Sequence, residues 1–171
     1  MAILGEILAR APVWVWALLV VLVAVGVAQA RPRNASLAAV VALPATMIAL
    51  SAYSVLSTFQ PPAPALLAWL AGLALSVAGN RFIRYPRGAA YLPQTARFAL
   101  KGSWLPLALI LAIFIARFIV TAAVTRDPSL RGSQIFGEAA GLAYGVLGGQ
   151  FLAGALSLWR MAAPRSPLQG A

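Results

Sequence analysis

The sequence contains no cysteine and no histidine, and only three of its 171 residues are acidic. Without cysteine there are no disulfides and no thiol redox chemistry, and without histidine there is no bis-histidine haem ligation. The usual zinc-ligand sets are excluded by the same two absences. Two glutamates far apart in the sequence, with Asp127 in a loop, do not suggest paired-carboxylate catalysis. We therefore predict no catalytic residue, no metal and no cofactor.

Charged residues are also scarce, at 9% of the chain, whereas hydrophobic residues make up 62%. A soluble domain is typically about half apolar and about a quarter charged. A chain this apolar would expose large greasy patches in water, so the composition predicts a membrane protein. The thirteen basic residues give a net charge of +10 and stand between apolar segments. This arrangement favours contact with anionic lipid headgroups over nucleic-acid binding.

Five apolar runs each approach the roughly 20 residues that a membrane-spanning helix needs. None alternates like a strand, so the sequence predicts an all-α, polytopic membrane helix bundle forming a single integral domain over residues 1–171. A basic loop over residues 81–102 separates the third and fourth helices. The five helices are expected at about 12–30, 36–58, 63–80, 103–124 and 135–161.

The distribution of basic residues predicts an orientation. Nine lie on one side of the expected bundle and three on the other, and the remaining one, Arg117, lies inside the fourth helix. Because cytoplasmic loops are enriched in Lys and Arg, we expect the N-terminus outside and the C-terminus in the cytoplasm of a bacterial inner membrane. The cytoplasmic set is Arg31, Arg33, Arg81, Arg84, Arg87, Arg97, Lys101, Arg160 and Arg165.

The fifth helix carries four glycines at strict four-residue spacing, which predicts a face that another helix backbone can approach closely. The third helix offers a plausible partner in Ala68, Gly72, Ser76 and the nearby Gly79. The groove would serve either packing within one bundle, or homodimerisation or docking to another membrane protein. The four glycines are Gly137, Gly141, Gly145 and Gly149.

Arg117 in the fourth helix and Glu138 in the fifth are expected at similar depth. Arg117 lies eight residues before Thr125, roughly 12 Å along a helix, and Glu138 lies seven after Arg131, roughly 10 Å. A charge at such depth is costly unless paired or functional. The two residues would form an ion pair between helices, or Arg117 would snorkel outward. Alternatively they would line an outward-facing polar site with Tyr53, or contact a partner subunit.

Basic and aromatic residues alternate in the loop between the third and fourth helices, which suits a segment lying at the headgroup level. The loop would contact anionic lipid on the cytoplasmic side, or serve only to fix the orientation. It would alternatively form a small hairpin that meets a cytoplasmic partner. The residues expected at the lipid are Arg81, Arg84, Arg87, Arg97 and Lys101.

Three stretches carry a resemblance to a known family: APVWVWALLVVLV with the following QARPR, GSWLPLALILAIF, and GLAYGVLGGQFLAGALSLWR. With these the chain resembles a family of uncharacterised small bacterial inner-membrane proteins, defined by a domain of unknown function. The resemblance implies five transmembrane helices in an inner membrane. It implies no activity, ligand or catalytic residue.

Two functional hypotheses follow. The first is a non-catalytic accessory or scaffold subunit assembled through glycine-rich helix packing. The second is a small transporter or permease-like protein with an outward-facing site at Arg117, Glu138 and Tyr53. A transporter should have a water-accessible cavity that reaches Arg117 and Glu138, whereas a scaffold should have a dry, packed interior.

Overall fold

The computed structural model describes residues 13–83, 86 and 88–162. Within them the chain forms five α-helices, a short 3-10 helix and three short strands. The helices are α1 (Val13–Ala30), α2 (Leu37–Thr58), α3 (Ala63–Ile83), α4 (Leu105–Arg126) and α5 (Gln134–Ala162). The strands are β1 (Arg33–Ser36), β2 (Ala90–Leu92) and β3 (Arg97–Leu100), and the 3-10 helix is Pro128–Arg131.

Four of the helices, α2 to α5, are long and apolar enough to cross a membrane. α1 is not among these four, because its described apolar stretch, Leu19–Ala30, is shorter than a full span. The predicted helix bundle is confirmed, and each helix begins and ends within three residues of the expected bounds.

Local signals explain several helix ends. Ser36 caps α2, since its hydroxyl accepts a hydrogen bond from the Ala39 N–H at 3.3 Å. The Leu105 N–H donates to the Ser103 hydroxyl at 3.2 Å, and Pro106 follows at a position where a helix tolerates proline. Asp127 ends α4 and accepts from the Ser129 N–H at 3.0 Å, which starts the 3-10 helix.

The central pair of the bundle is α3 with α5, which share the most extensive packing, and α2 packs on α5 beside it. α1 packs chiefly on α4, and α4 joins the rest through a smaller contact with α5. One core cluster around Phe59, Trp69 and Tyr144 fills the end near the 3-10 helix. A second around Met47, Ile110 and Phe151 continues the core towards the other end.

The three strands form an antiparallel sheet in the order β1-β3-β2, which the sequence did not predict as a unit. Of the alternatives for the basic loop, the hairpin is present as β2 and β3, and β1 adds to it with Arg33 opposite Leu100 and Ser36 opposite Arg97. Phe98 anchors the sheet on Val40 and Leu158 and is fully buried. The fold is therefore a helix bundle closed at one end by a small sheet.

The two ends of the bundle differ. We call the end with the strands, the starts of α2 and α4 and the end of α5 the sheet end. At the opposite end, the α2–α3 connection meets the 3-10 helix, where the Gln60 N–H donates to the Arg131 carbonyl at 2.9 Å.

Candidate functional site

The glycine face of α5 packs directly against the backbone of α3. A methyl group added to Gly141 would overlap the carbonyl oxygen of Ala65, and one added to Gly145 would overlap that of Trp69. On the facing helix, a methyl group on Gly72 would lie 2.8 Å from the Val146 backbone nitrogen. Of the two uses expected for this groove, the structure places it in packing within the chain.

Crowding along the glycine face is mildest at Gly137 and remains severe at Gly149. A methyl group on Gly137 would meet the Ala65 Cβ and the Phe59 ring at 3.4 Å, a tight but much milder approach. On Gly149 it would come within 2.6 Å of the Ser76 Cβ. Gly79 was expected to join the partner face, but nothing lies within 4 Å of the position of its missing side chain, so it takes no part. Gly79 faces away from α5, whereas its neighbour Asn80 is buried on the side that meets it.

Hydrogen bonds cross the same seam. The Ser76 hydroxyl donates to the Val146 carbonyl at 2.6 Å and accepts from the Gln150 amide at 3.1 Å. One turn further, the Asn80 amide donates to the Ser157 hydroxyl at 3.1 Å. Polar groups in an apolar environment must find partners, so these bonds fix how α3 sits on α5.

The Trp69 indole links α3 to α2 by donating to the Ser51 hydroxyl at 3.1 Å, with both side chains buried. The Ser51, Ser54 and Ser57 hydroxyls donate to carbonyls of their own helix. The hydrogen bonds that join different helices, from Trp69, Ser76 and Asn80, were not predicted from the sequence. Polar residues inside apolar runs do indicate that such bonds exist. The partner that each residue meets, however, depends on how the helices are rotated about their axes.

Arg117, Glu138 and Tyr53 are not brought together into one site. The expected ion pair is not formed among the described residues: the Glu138 carboxylate accepts from the Gln134 amide at 2.8 Å in the first turn of α5. The exposed Arg117 lies close enough to Tyr144 for its charge to act on the phenol hydroxyl. Tyr53 is 64% exposed on α2. The similar depth of Arg117 and Glu138 along their helices does not bring them into contact, because the rotation of each helix about its axis decides which side chains meet.

The described basic residues divide by end. Arg31, Arg33, Arg97, Lys101 and Arg160 are all exposed at the sheet end, and Arg81 is exposed in the last turn of α3. Both acids in the described segments, Asp127 and Glu138, lie at the opposite end. Arg84 and Arg87, also expected at the lipid, lie outside the described residues. The sheet end therefore carries strong positive charge.

A cleft of about 560 Å³ opens at the sheet end, between the strands and helices α1, α2, α4 and α5. We call it the sheet-end cleft. Its mouth carries Gln29, Arg33, Lys101 and Ser103, and its wall carries Val40, Leu43, Pro44, Phe151 and Leu158. A smaller cleft of about 110 Å³ lies at the opposite end beside Gln60 and Arg131. Neither cleft is lined by Arg117, Glu138 or Tyr53.

Comparison with known proteins agrees with the resemblance noted from the sequence. Neither a curated protein nor a solved structure matches the chain. A family of unknown function, DUF6622, matches residues 1–169, which is nearly the whole chain. The protein belongs to the DUF6622 family.

Proposed function

We propose that this protein is a non-catalytic integral membrane protein of a bacterial inner membrane, acting as an accessory or scaffold subunit. The observation that carries the proposal is the backbone-to-backbone contact of α3 with α5 through Gly72, Gly141 and Gly145. This contact leaves no room for a path between the two central helices. A close-packed seam between the central helices suits a scaffold better than it suits a path for a solute.

The proposed orientation has the N-terminus outside and the sheet end in the cytoplasm. It is supported by the exposed basic residues of the sheet end and by the acids at the opposite end. Residues 13–30, which form α1, would supply the first of five spans. At 18 residues α1 is at the short end of the range for a spanning helix.

The partner of an accessory subunit would meet an outer helix surface, since the glycine face is already occupied. α1 leaves Val20 and Val21 exposed at 68% and 57% and packs chiefly on α4. We propose this outer α1 face as the contact surface, because an apolar helix side with no neighbour in its own chain is free for another membrane helix.

Site-specific photo-crosslinking in cells tests the proposal. A photoreactive residue placed at Val20 or Val21 should give one discrete adduct with a second membrane protein at fixed stoichiometry. The control position is Leu67, which is 67% exposed on α3, away from α1, and should give none. The proposal fails if neither α1 position gives an adduct and the reconstituted protein carries a solute flux. The transporter hypothesis would then take its place.

A further inference from the structure

Two basic residues stand side by side at the sheet end. The pairing of β1 with β3 places Arg33 opposite Leu100, so that Lys101 follows directly beside the start of β1. Both residues line the sheet-end cleft, and the Lys101 side chain rests against Gly88 beside it. The Arg33 guanidinium donates to the Gln29 side-chain oxygen at 3.3 Å, which holds it over the end of α1.

The position of Lys101 is also fixed by its surroundings. A methyl group on the next residue, Gly102, would overlap the carbonyl oxygen of Ala30, so the chain is pressed against the end of α1 here. The Ser103 N–H donates to the Gln29 carbonyl at 3.2 Å and secures the same contact. The backbone that follows Lys101 is therefore held against the end of α1, the same helix end that Arg33 contacts through Gln29.

No carboxylate lines this cleft, and both acids in the described segments lie at the opposite end of the bundle. Two like charges in one mouth repel each other, and the repulsion is stronger near an apolar wall than in bulk water. A bound anion would remove that repulsion. The mouth is therefore complementary to a phosphate-sized anion.

The wall beyond the mouth is apolar. Val40, Leu43 and Pro44 of α2 face Phe151 and Leu158 of α5 across it. Phe151 and Leu158 are seven residues apart, so the wall runs roughly 10 Å along the helix. Most of these side chains are already buried, but Ala39, Leu43 and Leu105 of the same lining remain accessible. An acyl chain would contact them, whereas a free phosphate would gain nothing from an apolar surface.

We propose that the sheet-end cleft binds one anionic phospholipid. Its headgroup phosphate lies against Arg33 and Lys101, and one acyl chain lies along Ala39, Leu43 and Leu105, the more accessible apolar residues of the lining. This rests on the membrane location proposed above and not on the accessory role. It differs from general attraction of basic residues to the membrane because only cleft residues take part.

Native mass spectrometry of the full chain released from nanodiscs tests the site. The chain should retain one phosphatidylglycerol and no phosphatidylcholine. Arg33→Gln and Lys101→Gln should each weaken retention about fivefold, the factor that corresponds to about 1 kcal/mol per basic residue. The matched control Arg97→Gln removes an exposed charge of β3 that does not line the cleft, and should weaken retention clearly less than either cleft variant. Equal losses in all three variants would overturn the site.

A second pair of variants tests the acyl chain without touching the charges. Ala39 lines the cleft and its neighbour Ala38 does not, and both are exposed on α2. Ala39→Phe should fill the cleft and lower retention severalfold, whereas Ala38→Phe should leave it unchanged. Equal retention in both variants, or displacement of the lipid by soluble glycerol phosphate, would show that no acyl chain is bound. A chain that does not enter nanodiscs of either lipid would overturn the membrane location instead.

Discussion

Gly145 of α5 lies directly against the carbonyl oxygen of Trp69 in α3, with no space for a side chain between them. The same tryptophan donates its indole N–H to Ser51 of α2. Trp69 therefore occupies the point where three helices meet, its backbone held by one neighbour and its ring by another. The stability of the bundle should depend on this point more than on any polar group at either end.

Gly145→Ala should destabilise the bundle by about 1 to 3 kcal/mol, because the added methyl group must displace the backbone of α3. Gly137→Ala makes the same chemical change where the nearest atoms are 3.4 Å from the new group. It should be neutral or stabilising by up to about 1 kcal/mol, since Ala favours helix more than Gly. Reversible unfolding in mixed micelles measures both. Equal effects would contradict the close contact seen at Gly145.

Trp69→Phe should cost about 1 to 2 kcal/mol, since it removes the hydrogen bond to Ser51 and some buried volume. The control is Trp159→Phe, where the side chain is 56% exposed near the end of α5. That change should cost less than about 0.5 kcal/mol. The same unfolding measurement compares the two variants, and a larger loss at Trp159 would show that the indole bond contributes little.

Arg117→Gln and Glu138→Gln should act independently on stability. The Glu138 carboxylate is bonded to Gln134, and no ion pair joins it to Arg117 among the residues described. A double-mutant cycle should therefore be additive within about 0.5 kcal/mol. A coupling energy well above that value would mean that the two charges meet in the membrane after all.

The proposed orientation can be tested by cysteine labelling, because the chain has no cysteine of its own. Ser129→Cys lies exposed in the 3-10 helix, and Thr95→Cys lies exposed in the turn between β2 and β3. A membrane-impermeant maleimide added to spheroplasts should label Ser129→Cys at once and Thr95→Cys only after lysis. The reverse labelling pattern would show that the protein has the opposite orientation in the membrane.

Much of the helical framework was predictable from the sequence. Runs of apolar residues bounded by Pro, Gly and charged residues set the helix bounds, since length and hydropathy decide whether a segment can span a membrane. The glycine spacing on α5 likewise marked a close-packed face, because a four-residue repeat returns to the same side of a helix. Apolar run length and glycine spacing are both properties of a single segment of the chain, so they can be recognised in one sequence.

The sheet and the polar contacts were less accessible. Arg33–Ser36 reads as a linker and becomes a strand only when β3 lies beside it, and Arg97–Leu100, one basic residue followed by three apolar ones, has no strand-like alternation to mark it. The separation of Arg117 from Glu138 has the same origin. Rise per residue gives depth, but rotation about the helix axis depends on how all the neighbours pack.

The sheet also constrains the order in which the protein is made. β1 leaves the ribosome before any of α2 or α3, yet its hydrogen-bonding partner β3 comes only after both of them. Until β3 has been made, β1 therefore stands between the first two helices with its edge unpaired. Because β3 directly precedes α4 in the chain, that edge can be covered only from this point of synthesis onward.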